Sequence, residues 1–178
     1  MDELEQSCYA AKRYSRLVHS NFVNELSPEE RFHYYQHVYF DKNAYIRVFA
    51  LLDKLGTLLN QLLTLRTERM KAHFSYFTVL RNMRENHLHV ELMKPLNELK
   101  ERHQGAMSRL RGRRNLEIHQ MNAELKDDLN QSLAQHGGRR TIENLGSNME
   151  DLDQGWDMVH GSLNHFFRYA CKWLRKMD

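Results

Sequence analysis

"IENLGSNMEDLDQGWDMVHGSLNHFFRYACKW", residues 142–173, carries the longest regular pattern in the chain. Ile142, Leu145, Met149, Leu152, Trp156, Val159, Leu163, Phe166, Ala170 and Trp173 recur at intervals of three and four. That spacing gathers apolar side chains on one stripe of an α-helix, whereas a strand would need alternation at every residue. Sustained over four heptads, it forms a seam for packing on other helices. At 1.5 Å per residue such a helix reaches about 50 Å, more than a compact bundle of this chain length spans. It therefore either lies along a bundle, projects from it or pairs with a second copy.

The same periodicity extends outward from this segment. "KNAYIRVFALLDKLGTLLNQLLTL" places Val48, Leu52, Leu55, Leu59 and Leu62 on one stripe, with Leu51, Leu58 and Leu65 flanking it. A helix apolar around so much of its circumference belongs at the centre of a bundle. Upstream, a first helix is predicted from Asp2 to Val23, with Leu4, Cys8, Ala11, Val18 and Phe22 on one side. "NELSPEER" then starts another: Ser27 caps, Pro28 suits the first helical position and Glu30 completes a capping box. A short aromatic helix, "ERFHYYQHVYF", is expected next, with Asp41 capping its successor. Downstream, "FSYFTVLRNMREN" predicts a helix, and another runs from about Pro95 towards Gly112. "LEIHQMNAELKDDLNQSLAQ" predicts one more, ended by the glycines of "HGGRR". Nothing alternates with period two, and 2 prolines and 8 glycines are too few for an all-β fold. The expected fold is all-α, an up-and-down helical bundle with a long C-terminal helix, forming a single domain over residues 1–178.

Apolar residues make up 41% and charged residues 28%, the balance of a globular protein. No run of about 18 apolar residues is present, so no membrane span is expected. "MDELEQSCYAAKRY" is acidic and amphipathic, unlike a signal peptide. Cys8 and Cys171 lack metal-ligand spacing and read as packed thiols in a reducing cytoplasm. The net charge of +3 says less than its distribution. Between Lys100 and Arg114, six Lys or Arg face the single acid Glu101. Such clustering is either a footprint for phosphates or a solvated surface.

Histidines number 11. His33 and His37 stand four apart, on one helical face as a zinc site needs, but no third ligand is near and tyrosines surround them. They read as histidines at the edge of an aromatic face, and His87 and His89 as a helix-end pair. No phosphate-cradling glycine loop and no nucleophile elbow occurs. No metal and no cofactor is expected. The spacing Arg-x-x-x-x-His occurs twice, from Arg84 to His89 and from Arg114 to His119. With 17 arginines and 11 histidines chance alone supplies it, so context must choose.

"RGRRNLEIHQ" resembles the Arg-Asn-x-x-x-His motif of the HEPN superfamily, all-helical domains named for nucleotide binding in higher eukaryotes and prokaryotes. Its placement is similar too: a basic helix end, the motif, one helix and a long terminal helix. "AYIRVFALLDKLGTLLNQLL" and "FSYFTVLRNMRE" look like earlier helices of a bacterial branch of that superfamily. The second copy of the spacing fits less well, because Arg84 is followed by Glu85 and not by Asn, His or Asp. The resemblance implies a metal-independent endoribonuclease acting at a homodimer interface, as the toxin of a toxin–antitoxin pair or in defence against phage. RNA, a second copy and an antitoxin protein are then the expected partners. Arg114 would be the family's arginine, Asn115 its variable polar residue and His119 its histidine.

His119, with an ordinary pKa of about 6.5, suits a general base on a ribose 2′-OH or a general acid for the leaving 5′-oxygen. Arg114 would stabilise the charge growing on phosphorus, and Asn115 would orient the imidazole or a phosphate oxygen. Arg109, Arg111 and Arg113 would track the RNA backbone. On a regular helix Arg114 and His119 diverge by about 140°, whereas Asn115 and His119 share a face. A break at Gly112 is therefore expected, placing Arg114 on an entry turn. Glu117, three residues after Arg114, is within reach of it; an exposed pair of that kind is worth about 0.2–1 kcal/mol. Two other readings stay open: a catalytically silent bundle that binds RNA, a nucleotide or a partner protein, and a structural helical protein.

Overall fold

The computed structural model describes residues 1–119, 141–142 and 144–175, with side chains as far as Glu117 in the first stretch. The fold is all-α. Its helices are α1 (Asp2–Ser15), α2 (Pro28–Leu62), α3 (Tyr76–Glu85), α4 (Val90–Arg102), α5 (Gln104–His119) and the long C-terminal α6 (Leu145–Leu174). Among the described residues the one β interaction is an isolated antiparallel bridge between Phe22 and Thr141. Beyond residue 119, the helix expected over residues 116–135 and its glycine end lie outside the described residues. Among the described residues no helix is long and apolar enough to cross a membrane.

The chain divides into two compact units, each built from two stretches. Unit 1 takes residues 1–47 and 105–153. Leu4 and Ala11 of α1, Ala44 and Tyr45 of α2, Ala106 and Leu110 of α5, and Met149 and Leu152 of α6 form its buried core. The predicted capping box is present: the Glu30 N–H donates to Ser27 Oγ and the Ser27 N–H to Glu30 Oε2, both at 3.2 Å. The same carboxylate accepts the N–H groups of His19 and Ser20 at 3.1 and 3.3 Å. This explains why α1 stops at Ser15 and not at Val23. The backbone after Ser15 finds partners elsewhere, in Glu30 and in the Ile142 N–H, which donates to Asn21 O at 2.9 Å. Cys8 is half-buried; burial, with Asp153 beside it, pushes its thiol up to about 11. Cys171, expected to be packed, is exposed.

The expected break before Asp41 does not occur, and α2 runs through it for 35 residues. Asp41 is buried and forms an ion pair with Arg113 of α5. A carboxylate read as a helix cap thus serves another helix, and with no cap the aromatic and leucine segments fuse.

Unit 2 takes residues 48–104 and 154–178. Val48, Leu52, Leu55 and Leu59 of α2 are buried as their spacing predicts, together with Val79, Leu80 and Met83 of α3, Leu92 and Leu96 of α4, and Val159, Phe166 and Ala170 of α6. A Cβ on Gly56 would stand 2.7 Å from the Tyr76 Cα, so glycine permits α2 and α3 to touch. The buried Tyr76 hydroxyl donates to Ser162 Oγ at 2.9 Å. The helix expected from about Pro95 towards Gly112 is two helices: α4 starts earlier, at Val90, where His89 in the left-handed region (φ 47°) turns the chain into it, and ends at Arg102, with α5 starting at Gln104. Pro95 then falls in the second turn.

The His19 and Ser27 N–H groups hold Glu30 down from 4.5 to about 2. The native state therefore binds fewer protons than the unfolded chain between those values, and stability rises with pH there. Thermal unfolding should show Glu30→Gln less stable than wild type at pH 7, with the gap closing as pH falls from 4.5 towards 2.

Candidate active site on helix α5

The basic run starts in the last turn of α4 with Lys100 and Arg102 and continues on α5, which carries Arg109, Arg111, Arg113, Arg114 and the motif and is one unbroken helix through Gly112. A Cβ on Gly112 would meet nothing within 4 Å, so no packing demand bends the chain there. A lone glycine costs only about 1 kcal/mol within a helix, and the residues on either side of it, Arg109 and Arg113, are tied to neighbouring helices.

Those contacts follow a four-residue interval. Arg109 forks onto the buried Asp151 of α6, its Nε at 2.9 Å from Oδ2 and its Nη2 at 2.6 Å from Oδ1. Arg113 pairs with Asp41 of α2, and its guanidinium lies over the Tyr45 ring, 4.9 Å from the centroid. Glu117 pairs with Lys42 of α2 at 3.1 Å. At 100° per residue these three positions span about 80° of the helix. Buried Ala106 and Leu110 lie on the same side.

Arg111, Asn115 and His119 form a second series at the same interval, rotated from the first by about 160°. Arg111 and Asn115 are exposed, while His119 closes α5 and the direction of its ring lies outside the described residues. Arg114 sits between the two stripes, half-buried, and its Nη2 donates to Asn115 Oδ1 at 3.5 Å. The helix therefore separates Arg114 from His119 in angle, as a regular helix must, and Asn115 links the arginine to the outward stripe.

The predicted site residues thus divide. Arg114 and Asn115 touch, and Asn115 and His119 stand one turn apart. Of the three arginines expected along RNA, Arg109 and Arg113 lie on carboxylates and Arg111 faces outward. Asp41, Lys42 and Asp151, which set the rotation of α5, were not recognised from sequence. Only the four-residue phase of Arg109, Arg113 and Glu117 hinted at a paired face.

Elsewhere, His37 is buried with its Nδ1–H donating to Ala11 O at 3.0 Å, a core histidine. His89 of the rejected motif copy bonds the Tyr169 hydroxyl at 2.7 Å through Nδ1 and packs edge-on to Trp173, so it is part of unit 2's packing. Among the described residues no three His, Cys, Asp or Glu side chains gather as a metal site.

Removing one partner of a buried ion pair strands the other charge, typically at 3–5 kcal/mol. The Tyr45 ring softens this for Arg113, so Asp41→Asn should lose about 2 kcal/mol or more in urea unfolding. Asp41→Asn combined with Arg113→Met should recover part of that loss, a coupling that independent sites would not show.

The sequence pattern of the HEPN_Cthe2314-like HEPN family matches residues 1–171, including all of Arg114 to His119. No curated protein and no solved structure matches the chain. An all-helical fold, a long terminal helix and a match over nearly the whole chain agree: the protein belongs to the HEPN superfamily, in its Cthe2314-like family.

Proposed function

We propose that the protein is a metal-independent endoribonuclease of HEPN type whose active site is completed across a homodimer. The observation that carries this reading is the outward stripe of α5. Arg111 and Asn115 are exposed on it and His119 shares its phase, while the opposite stripe is engaged in ion pairs. His119 takes the proton from a ribose 2′-OH or gives one to the departing 5′-oxygen. Arg114 offsets the negative charge that builds on phosphorus, an interaction strongest in the transition state. Asn115, bonded to Arg114, keeps the guanidinium turned towards the histidine's side of the helix. Arg111 contacts a neighbouring phosphate, whereas Arg109 and Arg113 act by holding α5.

A single α5 leaves Arg114 and His119 about 140° apart, and this supports a site shared between two copies. In that arrangement the arginine of one chain serves the histidine of the other. The cellular role proposed with it is a toxin restrained by an antitoxin protein, or a component of phage defence.

Purified protein should cleave RNA in EDTA, and His119→Ala should slow it by about 100-fold or more. Arg114→Ala should do the same. Mixing the two inactive variants should restore about a quarter of wild-type activity if one arginine and one histidine from different chains suffice. Cleavage that EDTA abolishes, or that survives His119→Ala, would overturn the proposal.

A further inference from the structure

The N-terminal turns of α2 present large aromatic side chains that the fold leaves uncovered. Phe32, Tyr35 and Tyr39 are 56%, 51% and 60% exposed. At 100° per residue they span about 60° of the helix, so the rings form one strip. Along the axis they are stepped by about 4.5 and 6 Å, each step exceeding the roughly 3.4 Å between stacked bases. Tyr14 of α1 backs the strip, 6.5 Å from the Phe32 ring and stacked at 6.0 Å on Phe40, which touches Tyr39 at 5.2 Å.

Three arginines stand close in sequence to these rings or to the tyrosine behind them. Arg13 and Arg16 flank Tyr14 in sequence, and Arg31 precedes Phe32; all three are exposed and have no ion-pair partner among the described residues. Of the nearest acids, Glu30 is engaged by His19, Ser20 and Ser27, and Glu29 alone is exposed beside the strip. The strip also leads somewhere. Lys42, one turn beyond Tyr39 and within about 80° of Phe32, pairs with Glu117 in the last turn of α5, on the face of that helix about 160° from Asn115 and His119.

We infer that this strip is a stacking surface for unpaired bases, which guides single-stranded RNA along α2 to the end of α5. Bases have apolar faces that lie on aromatic rings, and unpaired arginines follow the phosphates. A second copy is the competing occupant. A two-fold contact through this face would bring two sets of Arg13, Arg16 and Arg31 into one interface, and like charges disfavour it. The inference rests on the ribonuclease reading for the choice of RNA as the polyanion, but not on cleavage.

The test uses full-length His119→Ala protein in EDTA and the fluorescence anisotropy of a labelled uridine dodecamer, with a duplex of equal length as comparison. Adding Tyr35→Ala or Tyr39→Ala should weaken uridine binding by about tenfold each, and Tyr39→Phe should not. The duplex, whose bases are already stacked, should bind weakly and respond little. Should an alanine variant lose its helical circular dichroism, Arg16→Glu with Arg31→Glu gives a second route: about tenfold weaker binding and a shallower salt dependence. Unchanged affinity in the folded ring or charge variants would overturn the inference. So would ring variants that shift the sedimentation of the protein without changing its RNA affinity. If wild type cleaves no RNA but the ring variants lose binding, the surface stands and the nuclease falls. If wild type cleaves and the ring variants bind as before, the reverse holds.

Discussion

The rotation of α5 about its own axis decides what the candidate site can be, and charge fixes that rotation. Buried apolar residues on α5 are few, chiefly Ala106, Met107 and Leu110. Three ion pairs on the same side supply the missing specificity, reaching Asp151 on α6 and Asp41 and Lys42 on α2. The Asp41–Arg113 pair contributes little net stability because taking both charges out of water cancels most of their attraction, and the more exposed Arg109 and Lys42 pairs contribute little because solvent screens them. Their geometric effect is larger. A helix turned by one residue would swing Arg113 by about 100° away from Asp41 and leave a carboxylate buried alone.

With that face fixed, the other is rotated about 160° away from it, with Arg111 and Asn115 exposed. The polar residues of the motif are there, at a spacing that brings Asn115 and His119 one above the other. Arg114 belongs to neither face and reaches the outward one through the Asn115 amide. A variable polar position inside such a motif thus gains a physical role, that of carrying the arginine around the helix. α2 carries both Asp41 and Lys42 of the clamp and, upstream of them, the exposed rings of Phe32, Tyr35 and Tyr39.

Much of the fold was legible because it depends on local pattern. The Ser27–Pro28–Glu30 start, the Val48–Leu59 stripe and the Met149–Ala170 seam need only near neighbours to be recognised: the capping box forms, the stripe is buried, and so are Met149, Leu152, Val159, Phe166 and Ala170 of the seam, with Trp156 and Leu163 half-buried. The errors share one cause, a polar residue whose partner is distant in sequence. Asp41 looked like a cap because its arginine could not be seen, and residues 16–23 looked helical because Glu30 and Ile142 could not be seen competing for their backbone. At the site, the motif residues were readable by type, and the likeness to HEPN domains rested on them. The division of neighbouring arginines into clamp and outward groups was not readable, since it depends on which carboxylates the fold delivers. The outward strip on α2 was hidden for the opposite reason, as aromatic residues in a helix ordinarily signal a core.

The clamp also changes how mutagenesis of the basic run must be interpreted. Alanine scanning of an arginine-rich segment is commonly taken to rank phosphate contacts by lost affinity. Here substitution at 109 or 113 removes an ion pair that holds α5, so any loss of function would carry a lowered melting point with it. Position 111 lies in the other phase of the helix. Periodicity in such a scan, with thermal stability and binding failing out of step every second residue, would report the orientation of the helix itself.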